Sequence, residues 1–346
     1  MAKIAIIGDT HFGARGSNKI VEHWQERFYK EIFWPYIEEN GVQEIIQTGD
    51  YFDNRRSIDL RTMAFQRRTF VEVAQKLDVN VHVIVGNHDI PYRHSLANSS
   101  VEQILSHEDN FNVYTHPTKV DFDDRSITMM PWICRENYEE CATVLRAGGD
   151  MVLGHFEITG FVMHPGAISK DGISMSDFKD WNQVFSGHYH TQSEKGNIHY
   201  VGTPYQMSWS DSTTNHGFWI LDTADGSMQF IRNPYTYFNR FVWEDGCTGD
   251  TSNLERSYVK IAVKKKTDFE SFEKFIDKIN FGNPFEVKII EQFEEWSEDN
   301  VKELLTVSST EELIKEYVGD VTTDNNKDAI TQTLLSIYEE ALNVQD

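Results

Sequence analysis

The segment KIAIIGDTH, residues 3–11, carries the pattern that decides the fold. Its four consecutive apolar residues form a run that is short and rich in isoleucine, which predicts a buried β-strand. Gly8 ends the run, and Asp9 and His11 follow at once. A buried strand that ends in glycine and leads directly into polar side chains is typical of a functional strand end in an α/β sheet.

The same pattern occurs at four further places along the chain. Each is a short apolar run that stops near a glycine and continues with polar residues: Ile45-Ile46 before Gly49-Asp50, Val81–Val85 before Gly86-Asn87-His88-Asp89, Met151–Leu153 before Gly154-His155, and Val184-Phe185 before Gly187-His188-Tyr189-His190. Helical patterns lie between the early runs, at residues 21–39 and 60–77. This alternation predicts an α/β sandwich flanked by helices. Because ligands bind beyond the carboxyl ends of strands in such folds, all five motifs are expected at one site.

Carboxylate, imidazole and amide side chains dominate the five strand ends. This mixture suits Mn²⁺, Fe²⁺ or Zn²⁺ better than Mg²⁺ or Ca²⁺, which favour oxygen ligands. One aspartate can bridge two cations, and two cations about 3.5–4 Å apart can activate a water and stabilise a leaving oxygen. A single Asp-x-His or Gly-Asn-His-Asp piece would be an ordinary turn. Five such pieces, each after its own strand, favour a metal site.

Length and composition restrict the class of protein. A chain of 346 residues, 39% of them hydrophobic, can form one large domain and one or two small ones, and global disorder is excluded. No apolar run approaches the roughly 20 residues that span a bilayer, so no membrane partner is expected. The N-terminus has no signal-peptide pattern. Three scattered cysteines without a CxxC pair fit a cytoplasmic protein and exclude a disulfide framework.

The net charge of −23 argues against tight, unaided binding of nucleic acid. The acids are concentrated: residues 291–346 hold 15 acids against three lysines, a net of −12. Bound divalent cations would offset others. The opposite bias occurs in one cluster, Arg55, Arg56, Arg61, Arg67 and Arg68, which is either a solvated helix face or a phosphate contact. The charge therefore leaves a DNA substrate open.

Four segments are predicted along the chain. Residues 1–235 form the large domain, 236–293 a small α+β domain, 294–303 an acidic linker and 304–346 a helical segment. The small domain is predicted from a strand at 257–263, whose apolar residues are expected to alternate between buried and exposed, and a second strand at 285–291. Between them a helix is predicted at 268–281, capped by Thr267 or Asp268. The helical segment contains helices at 310–318 and 325–343. A stripe on the second helix, Ile330, Leu334, Ile337 and Ala341, either packs on the protein body or docks on a partner's coiled coil.

In this order the five motifs resemble those of the calcineurin-like metallophosphoesterases. The whole chain is similar to the SbcD-type double-strand-break-repair nucleases within that superfamily, including the recombination nucleases of T-even-like phages. Further landmarks are Pro131-Trp132, Gly202-Thr203-Pro204 and Gly217-Phe218-Trp219. The resemblance implies a metallophosphoesterase β-sandwich flanked by helices, with a small α+β capping domain and a C-terminal helical segment that binds a partner.

The resemblance also implies a set of site residues. One metal would be held by Asp9, His11, Asp50 and His190, and the other by Asp50, Asn87, His155 and His188, with Asp50 bridging. His88 matches the catalytic histidine of the family, which contacts the scissile phosphate and helps the leaving oxygen depart.

One position departs from the family pattern. Many members have a histidine three residues after the bridging aspartate, where it helps to direct the substrate for exonuclease action, but Asp53 stands there in this chain. Two interpretations of Asp53 are open. It is either a hydrogen-bond acceptor for a ligand histidine or an acid that initiates a helix.

The implied function is a Mn-dependent DNA exonuclease or endonuclease that acts in DNA recombination, repair and replication. It would be a homodimer and the nuclease subunit of a complex with an SMC-like coiled-coil ATPase, in the host-cell cytoplasm if phage-encoded. Two alternatives are a stand-alone phosphodiesterase or phosphatase of the same superfamily and a non-catalytic scaffold. The complete ligand set argues against the scaffold, and the C-terminal helices argue against a stand-alone enzyme.

Overall fold

The structure is a computed structural model. It describes residues 3–92, 94–123, 125–164, 167–170, 172–247, 249–291, 318 and 327–343. The predicted linker at 294–303 lies outside the described residues, as does the predicted helix at 310–318 except for its last residue. Among the described residues, every helix is too short or too polar to cross a membrane.

The chain divides into two compact units. The first comprises residues 1–207 and 214–235, and the second comprises residues 208–213 and 236–346. Residues 208–213 therefore belong to the second unit, although the residues on either side of them in sequence belong to the first. The functional roles that the sequence predicts for the four segments remain predictions.

Strands form two large sheets in the first unit. The first sheet has the order β14-β13-β1-β2-β3-β4 and the second β11-β12-β10-β7-β6-β5, with a small β8-β9 pair beside them. The strands are β1 (Lys3–Ile7), β2 (Glu44–Gln47), β3 (Asn80–Ile84), β4 (Phe111–Tyr114), β5 (Thr118–Phe122), β6 (Arg125–Met130), β7 (Gly149–Gly154), β8 (Val162–His164), β9 (Ala167–Ile168), β10 (Trp181–Ser186), β11 (Ser193–Lys195), β12 (Ile198–Tyr200), β13 (Gly217–Asp222) and β14 (Met228–Arg232).

Both sheets are parallel at their centres, and antiparallel pairs occur at one edge of the first sheet and at both edges of the second. Strands β1 to β4 run parallel, as do β6, β7, β10 and β12. Ile6 and Ile84 from the first sheet share one apolar core with Met129 and Leu153 from the second, so the two sheets form a sandwich. The central strands are buried on both faces, which explains why their sequences are continuous apolar runs rather than alternating ones.

Helices of the first unit cover the sandwich. They are α1 (Ala14–Ser17), α2 (Lys19–Phe28), α3 (Trp34–Glu39), α4 (Leu60–Gln66), α5 (Glu72–Lys76), α6 (Ser100–Leu105) and α7 (Tyr138–Ala147). The helices predicted at 21–39 and 60–77 are confirmed, but a π-helical segment interrupts each one, at Tyr29–Phe33 and Arg67–Val71. Tyr29 from one segment packs edge-on against Phe70 from the other, with ring centroids 5.5 Å apart.

The second unit contains a parallel three-stranded sheet, β15 (Phe238–Glu244), β16 (Tyr258–Lys265) and β17 (Glu286–Glu291). Two helices belong to it, α8 (Phe269–Phe281) and α9 (Lys327–Asn343). The predicted strand–helix–strand is confirmed, and of the two proposed caps it is Asp268 that accepts from Ser271 N. The expected alternation in the first of these strands is wrong, because β16 is buried continuously from Tyr258 to Val263. Ile261 on one face packs with Phe272 of α8, and Lys260 on the other face lies over the ring of Trp209.

Candidate metal centre

All five glycine-bounded motifs come to the carboxyl ends of their strands. Asp9 and His11 follow β1, Asp50 follows β2, Asn87 and His88 follow β3, His155 follows β7, and His188 and His190 follow β10. Among the described residues, two groups of ligand-type atoms consist of predicted ligands alone, and in each the atoms lie within 4.8 Å of one another: Asp9, His11 and His190 in one, and Asp50, His155 and His188 in the other. A third group with the same spacing contains His11, His88 and Asp53. The structure thus brings every predicted site residue into one region.

Backbone strain marks three of these positions. His11, Asp50 and His188 have φ values of 42°, 53° and 84°, in the left-handed region that non-glycine residues avoid at a cost of about 1–3 kcal/mol each. Two hydrogen bonds hold the first two loops together, because Thr10 N and His11 N both donate to Asp50 O, at 3.1 and 3.0 Å. Such strain persists only where the surrounding structure enforces it, as it does at functional sites.

Glycines allow the strand-end loops to approach one another. A Cβ atom on Gly86 would lie 2.1 Å from Asp50 N, and one on Gly187 would lie 2.5 Å from Asp9 Oδ1. Neither glycine has a positive φ, so the requirement is for space and not for an unusual turn. Any larger residue at either position would displace a carboxylate of the site.

Hydrogen bonds join the loops through the carboxylates. Asp50 Oδ1 accepts from His88 N at 2.7 Å. Its other oxygen, Oδ2, faces one histidine of each group, His155 Nε2 at 3.3 Å and His11 Nε2 at 3.8 Å. Asp9 accepts from His188 N at 3.0 Å. Asp50 therefore lies between the two groups, in the position that a bridging ligand requires.

The donor atoms fit a pair of divalent cations. Asn87 Oδ1, His155 Nε2 and His188 Nδ1 converge, with both nitrogens 2.9 Å from the oxygen. His11 Nε2 is buried and has no hydrogen-bond partner among the residues that the structure describes. An orphaned imidazole nitrogen beside carboxylates is costly without a ligand. The mixture of carboxylate, imidazole and amide oxygen is suited to Mn²⁺, Fe²⁺ or Zn²⁺.

The pKa values of the histidines in the cluster also favour a cation site. Burial disfavours the charged form of His11, but Asp53, Asp50 and Asp9 outweigh it and raise the pKa of His11 to about 9. In the same way burial lowers the pKa of His155, but Asp50 and Asp9 prevail and raise it to about 9. Burial and the neighbouring His155 lower the pKa of His188 to about 3. The acids thus hold protons on two histidines that a bound cation would displace.

His88 stands beside the cluster and is oriented by the backbone. Its Nδ1 lies 2.6 Å from Asp53 O, a carbonyl oxygen that can only accept a hydrogen bond, so Nδ1 carries the hydrogen and Nε2 is left for another partner. Its ring lies 5.0 Å from that of His11, edge to face. Burial lowers the pKa of His88. His88 therefore has a fixed tautomer and lies beside the predicted metal ligands, in a group of possible ligand atoms that it shares with His11 and Asp53.

Comparison with known proteins agrees with this geometry. Residues 2–212 match the calcineurin-like phosphoesterase family. The chain belongs to that family. It is also 31% identical over 350 residues to exonuclease subunit 1 of Enterobacteria phage T4, with 98% of this chain and 99% of that protein covered. The predicted family and the α/β fold class are therefore confirmed, and the phosphoesterase is a hydrolase of a family that uses divalent metals.

Asp89 is a residue of the phosphoesterase whose role the sequence did not reveal. It is fully buried, and its carboxylate accepts from three backbone amides: Tyr51 N at 3.0 Å, Phe52 N at 3.2 Å and Gly86 N at 2.8 Å. It thereby clamps the loop after Asp50 to the loop before Asn87. Burial and the charge of Asp50 raise the pKa of Asp89 to about 7. Its place directly after His88 in the motif was the available signal.

A second set of contacts supports the first loop. Tyr205 donates its hydroxyl to Thr10 O, and Gln25 Nε2 also donates to that carbonyl, at 3.2 Å. Phe12, the residue after His11, packs on Tyr51 with ring centroids 4.9 Å apart. Gln25 of helix α2 and the loop residues Tyr205 and Tyr51 thus support the Asp9–His11 loop.

The contacts of His82 and of the arginine cluster indicate structural roles outside the metal centre. His82, which lies outside the five motifs, is a packed residue of β3, because it is buried and bonded to Tyr114 and Glu44. In the arginine cluster, three side chains pair with acids: Arg61 with Glu22, Arg67 with Glu108 and Arg68 with Glu26. These pairs favour the solvated helix face over phosphate contact for those three arginines.

Of the two interpretations of Asp53, the helix-initiating one is wrong. The nearest helix, α4, begins at Leu60, and its cap is Asp59, whose side chain accepts from Thr62 N. Asp53 instead places Oδ1 3.1 Å from His11 Nδ1. Its geometry supports the interpretation as an acceptor for a ligand histidine.

Proposed function

We propose that this phosphoesterase is a two-metal nuclease that hydrolyses the phosphodiester backbone of DNA, with Mn²⁺ as its ion. One observation carries the proposal: donor atoms from five strand ends converge around Asp50, whose Oδ2 faces a histidine from each of two groups. The name of the phage relative, an exonuclease subunit aligned over nearly the whole chain, directs the choice of substrate to nucleic acid.

The residues divide into two ligand sets around the shared aspartate. Asp9, His11, Asp50 and His190 would hold one ion, and Asp50, Asn87, His155 and His188 the other. When bound, the two ions supply an activated water and stabilise the leaving oxygen. Nitrogen ligands in both sets favour Mn²⁺ over Mg²⁺, which prefers oxygen shells.

His88 is the proposed acid–base residue. Because Asp53 O fixes Nδ1 as the protonated nitrogen, Nε2 is the atom available to the scissile phosphate. Burial lowers the pKa of His88, and the negative charge of a bound phosphodiester raises it again, which favours the imidazolium. The imidazolium then donates its Nε2 proton to the departing oxygen.

Two observations support the proposal that this protein acts with a partner: its net charge and the name of its phage relative. A net charge of −23 disfavours unaided DNA binding, and the phage relative is named a subunit. We propose that the partner is an SMC-like coiled-coil ATPase, which docks on the helical segment at 304–346. We also propose that this protein forms a homodimer and acts in the host-cell cytoplasm. The described part of that segment includes α9, where Leu334 is 36% exposed.

A metal titration tests the enzymatic proposal. Metal-stripped protein is assayed with Mn²⁺, Zn²⁺ and Mg²⁺ on single-stranded DNA, double-stranded DNA and bis(p-nitrophenyl) phosphate. We expect Mn²⁺ to give the highest rate and kcat/KM to be larger for DNA than for the small diester. Hydrolysis of the small diester without cleavage of any DNA would instead support the alternative, a stand-alone phosphodiesterase. No hydrolysis of either substrate with any ion would support a scaffold.

Deletion of residues 300–346 tests the partner assignment. We expect the shortened chain to keep Mn²⁺-dependent cleavage of short single-stranded DNA and to lose stimulation by the ATPase, because the docking segment is gone. Circular dichroism and a melting curve serve as the folding control. Undiminished binding to the ATPase would contradict the assignment.

A further inference from the structure

We propose that Asp53 is a positioning residue that sets the orientation of two site histidines, His11 through its carboxylate and His88 through its carbonyl. The inference rests on the proposed function, because it assumes that His11 binds a metal. It goes beyond that function by assigning Asp53 control over one of the two ions. It also gives a role to the position where many members of the family have a histidine.

Two contacts of a single residue carry the proposal. Asp53 Oδ1 lies 3.1 Å from His11 Nδ1, and Asp53 O lies 2.6 Å from His88 Nδ1. The contact with His11 is within hydrogen-bonding distance, although the ring is not aligned for a hydrogen bond in this structure. The three side chains form one compact group, whose ligand-type atoms lie within 4.8 Å of one another.

Asp53 is fixed relative to His11 by the backbone. Asp53 N donates to Phe12 O at 3.1 Å, and Phe12 N donates to Tyr51 O at 2.8 Å. Phe12 is itself buried. Because the partner of Asp53 N is the residue directly after His11, the carboxylate and the imidazole are held in register.

The consequence for His11 follows from the chemistry of imidazole. A carboxylate that accepts from Nδ1–H leaves the lone pair on Nε2, the buried nitrogen that has no hydrogen-bond partner among the described residues and faces Asp50. It also makes that nitrogen a better donor to a cation. Loss of such a partner typically costs about 10- to 100-fold in metal affinity.

The second ligand set is oriented differently. His155 Nδ1 lies 2.8 Å from Thr48 O, a neutral carbonyl, whereas His11 faces a charged carboxylate. A charged acceptor strengthens the hydrogen bond more than a neutral one. Asp53 should therefore influence the ion held by Asp9, His11 and His190 and leave the ion on the other side of Asp50 unchanged.

Side-chain substitutions at position 53 separate the two contacts, because every variant keeps the carbonyl that holds His88. Asp53→Ala removes the acceptor for His11, and Asp53→Asn replaces it with a neutral one. Glu44→Ala is the matched control: it removes another carboxylate–histidine contact of nearly equal length, 3.0 Å to His82 Nε2. Among the described residues, Glu44 and His82 form side-chain hydrogen bonds with each other, with Asn80 and with Tyr114, none of which is a predicted ligand.

The test is Mn²⁺ binding by isothermal titration calorimetry on the full chain, with electron paramagnetic resonance to count bound ions. We expect Asp53→Ala to weaken one of the two binding steps about 10- to 100-fold, Asp53→Asn to weaken the same step less, and Glu44→Ala to weaken neither. The Mn²⁺ concentration needed for half-maximal cleavage should rise by the same factor as the weakened step.

Several results would overturn the proposal. It fails if Asp53→Ala leaves both steps unchanged or weakens both equally, or if Glu44→Ala has the same effect. If Asp53→Ala does not fold, Asp53→Asn decides, because selective weakening of one step supports the proposal and unchanged binding overturns it. Failure of the proposed nuclease function can be distinguished from failure of this proposal. If wild-type protein binds two Mn²⁺ ions but does not cleave DNA, the nuclease function is wrong, and the Mn²⁺ affinities of the Asp53 variants still test the role of Asp53.

Discussion

Two carboxylate–histidine pairs, one in the loops that follow β1 and β2 and one within β2 and β3, have different structural roles. His11 is 3.1 Å from Asp53 at the carboxyl end of β1, and His82 is 3.0 Å from Glu44 within β3. Both histidines are buried. The pairs differ in the second nitrogen of the ring. His82 Nδ1 lies 2.6 Å from the hydroxyl of Tyr114, whereas His11 Nε2 has no hydrogen-bond partner among the described residues.

The backbone shows the same contrast. His11 has a φ of 42° and His82 lies in regular strand. At His82 every polar atom of the ring is satisfied and nothing is strained, which is the condition of a structural residue. At His11 a strained backbone holds an unsatisfied nitrogen next to Asp50. Backbone strain combined with an unsatisfied ring nitrogen therefore distinguishes His11 from the structural residue His82.

The largest effect should come from Asp50, the residue between the two ligand groups. Asp50→Asn removes the negative charge that faces both His11 and His155, so we expect loss of Mn²⁺ at both positions and no detectable DNA cleavage. Calorimetry and a gel assay measure the two losses. Retention of either ion with wild-type affinity would contradict the bridging position.

The next effect concerns His88, which borders the site without belonging to either ligand set. His88→Asn should lower kcat by about 10²- to 10⁴-fold, the usual range for an acid–base group, and should leave both Mn²⁺ ions bound. Single-turnover cleavage and metal analysis of the same preparation give both values. A variant that loses metal would show that His88 is a ligand, and one with wild-type kcat would show that another group donates the proton.

The sequence predicted the fold correctly where the composition of a segment is compatible with one kind of structure. Short isoleucine- and valine-rich runs ending in glycine located β1, β2, β3, β7 and β10, because buried parallel strands need apolar side chains on both faces. Since carboxyl ends of parallel strands share an edge, the convergence of the site residues followed from the strand assignment.

Other features could not be predicted because they depend on packing across long sequence distances. The π-helical segments keep a helical pattern of apolar residues, so Tyr29 and Phe70 gave no sign of the local change. The sequence gives no role to Asp89, because the three amides that donate to it come from two different loops. Strand β15 was missed because its buried residues, such as Phe238 and Phe241, lack a regular alternation.

A smaller effect should appear in the pH dependence of metal binding. The pKa values of His11 and His155 are both raised to about 9 in the metal-free protein, above the ordinary value of 6.5. These two groups therefore stabilise the metal-free fold below about pH 6.5, and that stabilisation is lost as pH rises through 9. Cations need the neutral rings, so Mn²⁺ affinity should rise over the same window, by up to about tenfold per proton displaced and per pH unit.

Two measurements check the pH dependence. Calorimetry at pH 7 in buffers of different ionisation enthalpy should show close to two protons released as two ions bind, one from each of the two histidines. The melting temperature of metal-free protein should fall from pH 6.5 to 9 while the increase caused by Mn²⁺ grows. Release of no protons would show that both rings are neutral before the ion arrives.

The smallest effect on the site, and the sharpest test of the contrast, should come from Glu44→Ala. The substitution leaves His82 Nε2 buried without its acceptor, which costs about 1–3 kcal/mol in the free energy of unfolding. Tyr114 still holds the other nitrogen and no backbone strain is released, so the ring should stay in place. Denaturant unfolding measures the loss, and calorimetry should find both Mn²⁺ affinities unchanged. A shift in metal affinity would mean that the two regions are coupled through β2, which carries Glu44 at its start and leads to Asp50 at its end.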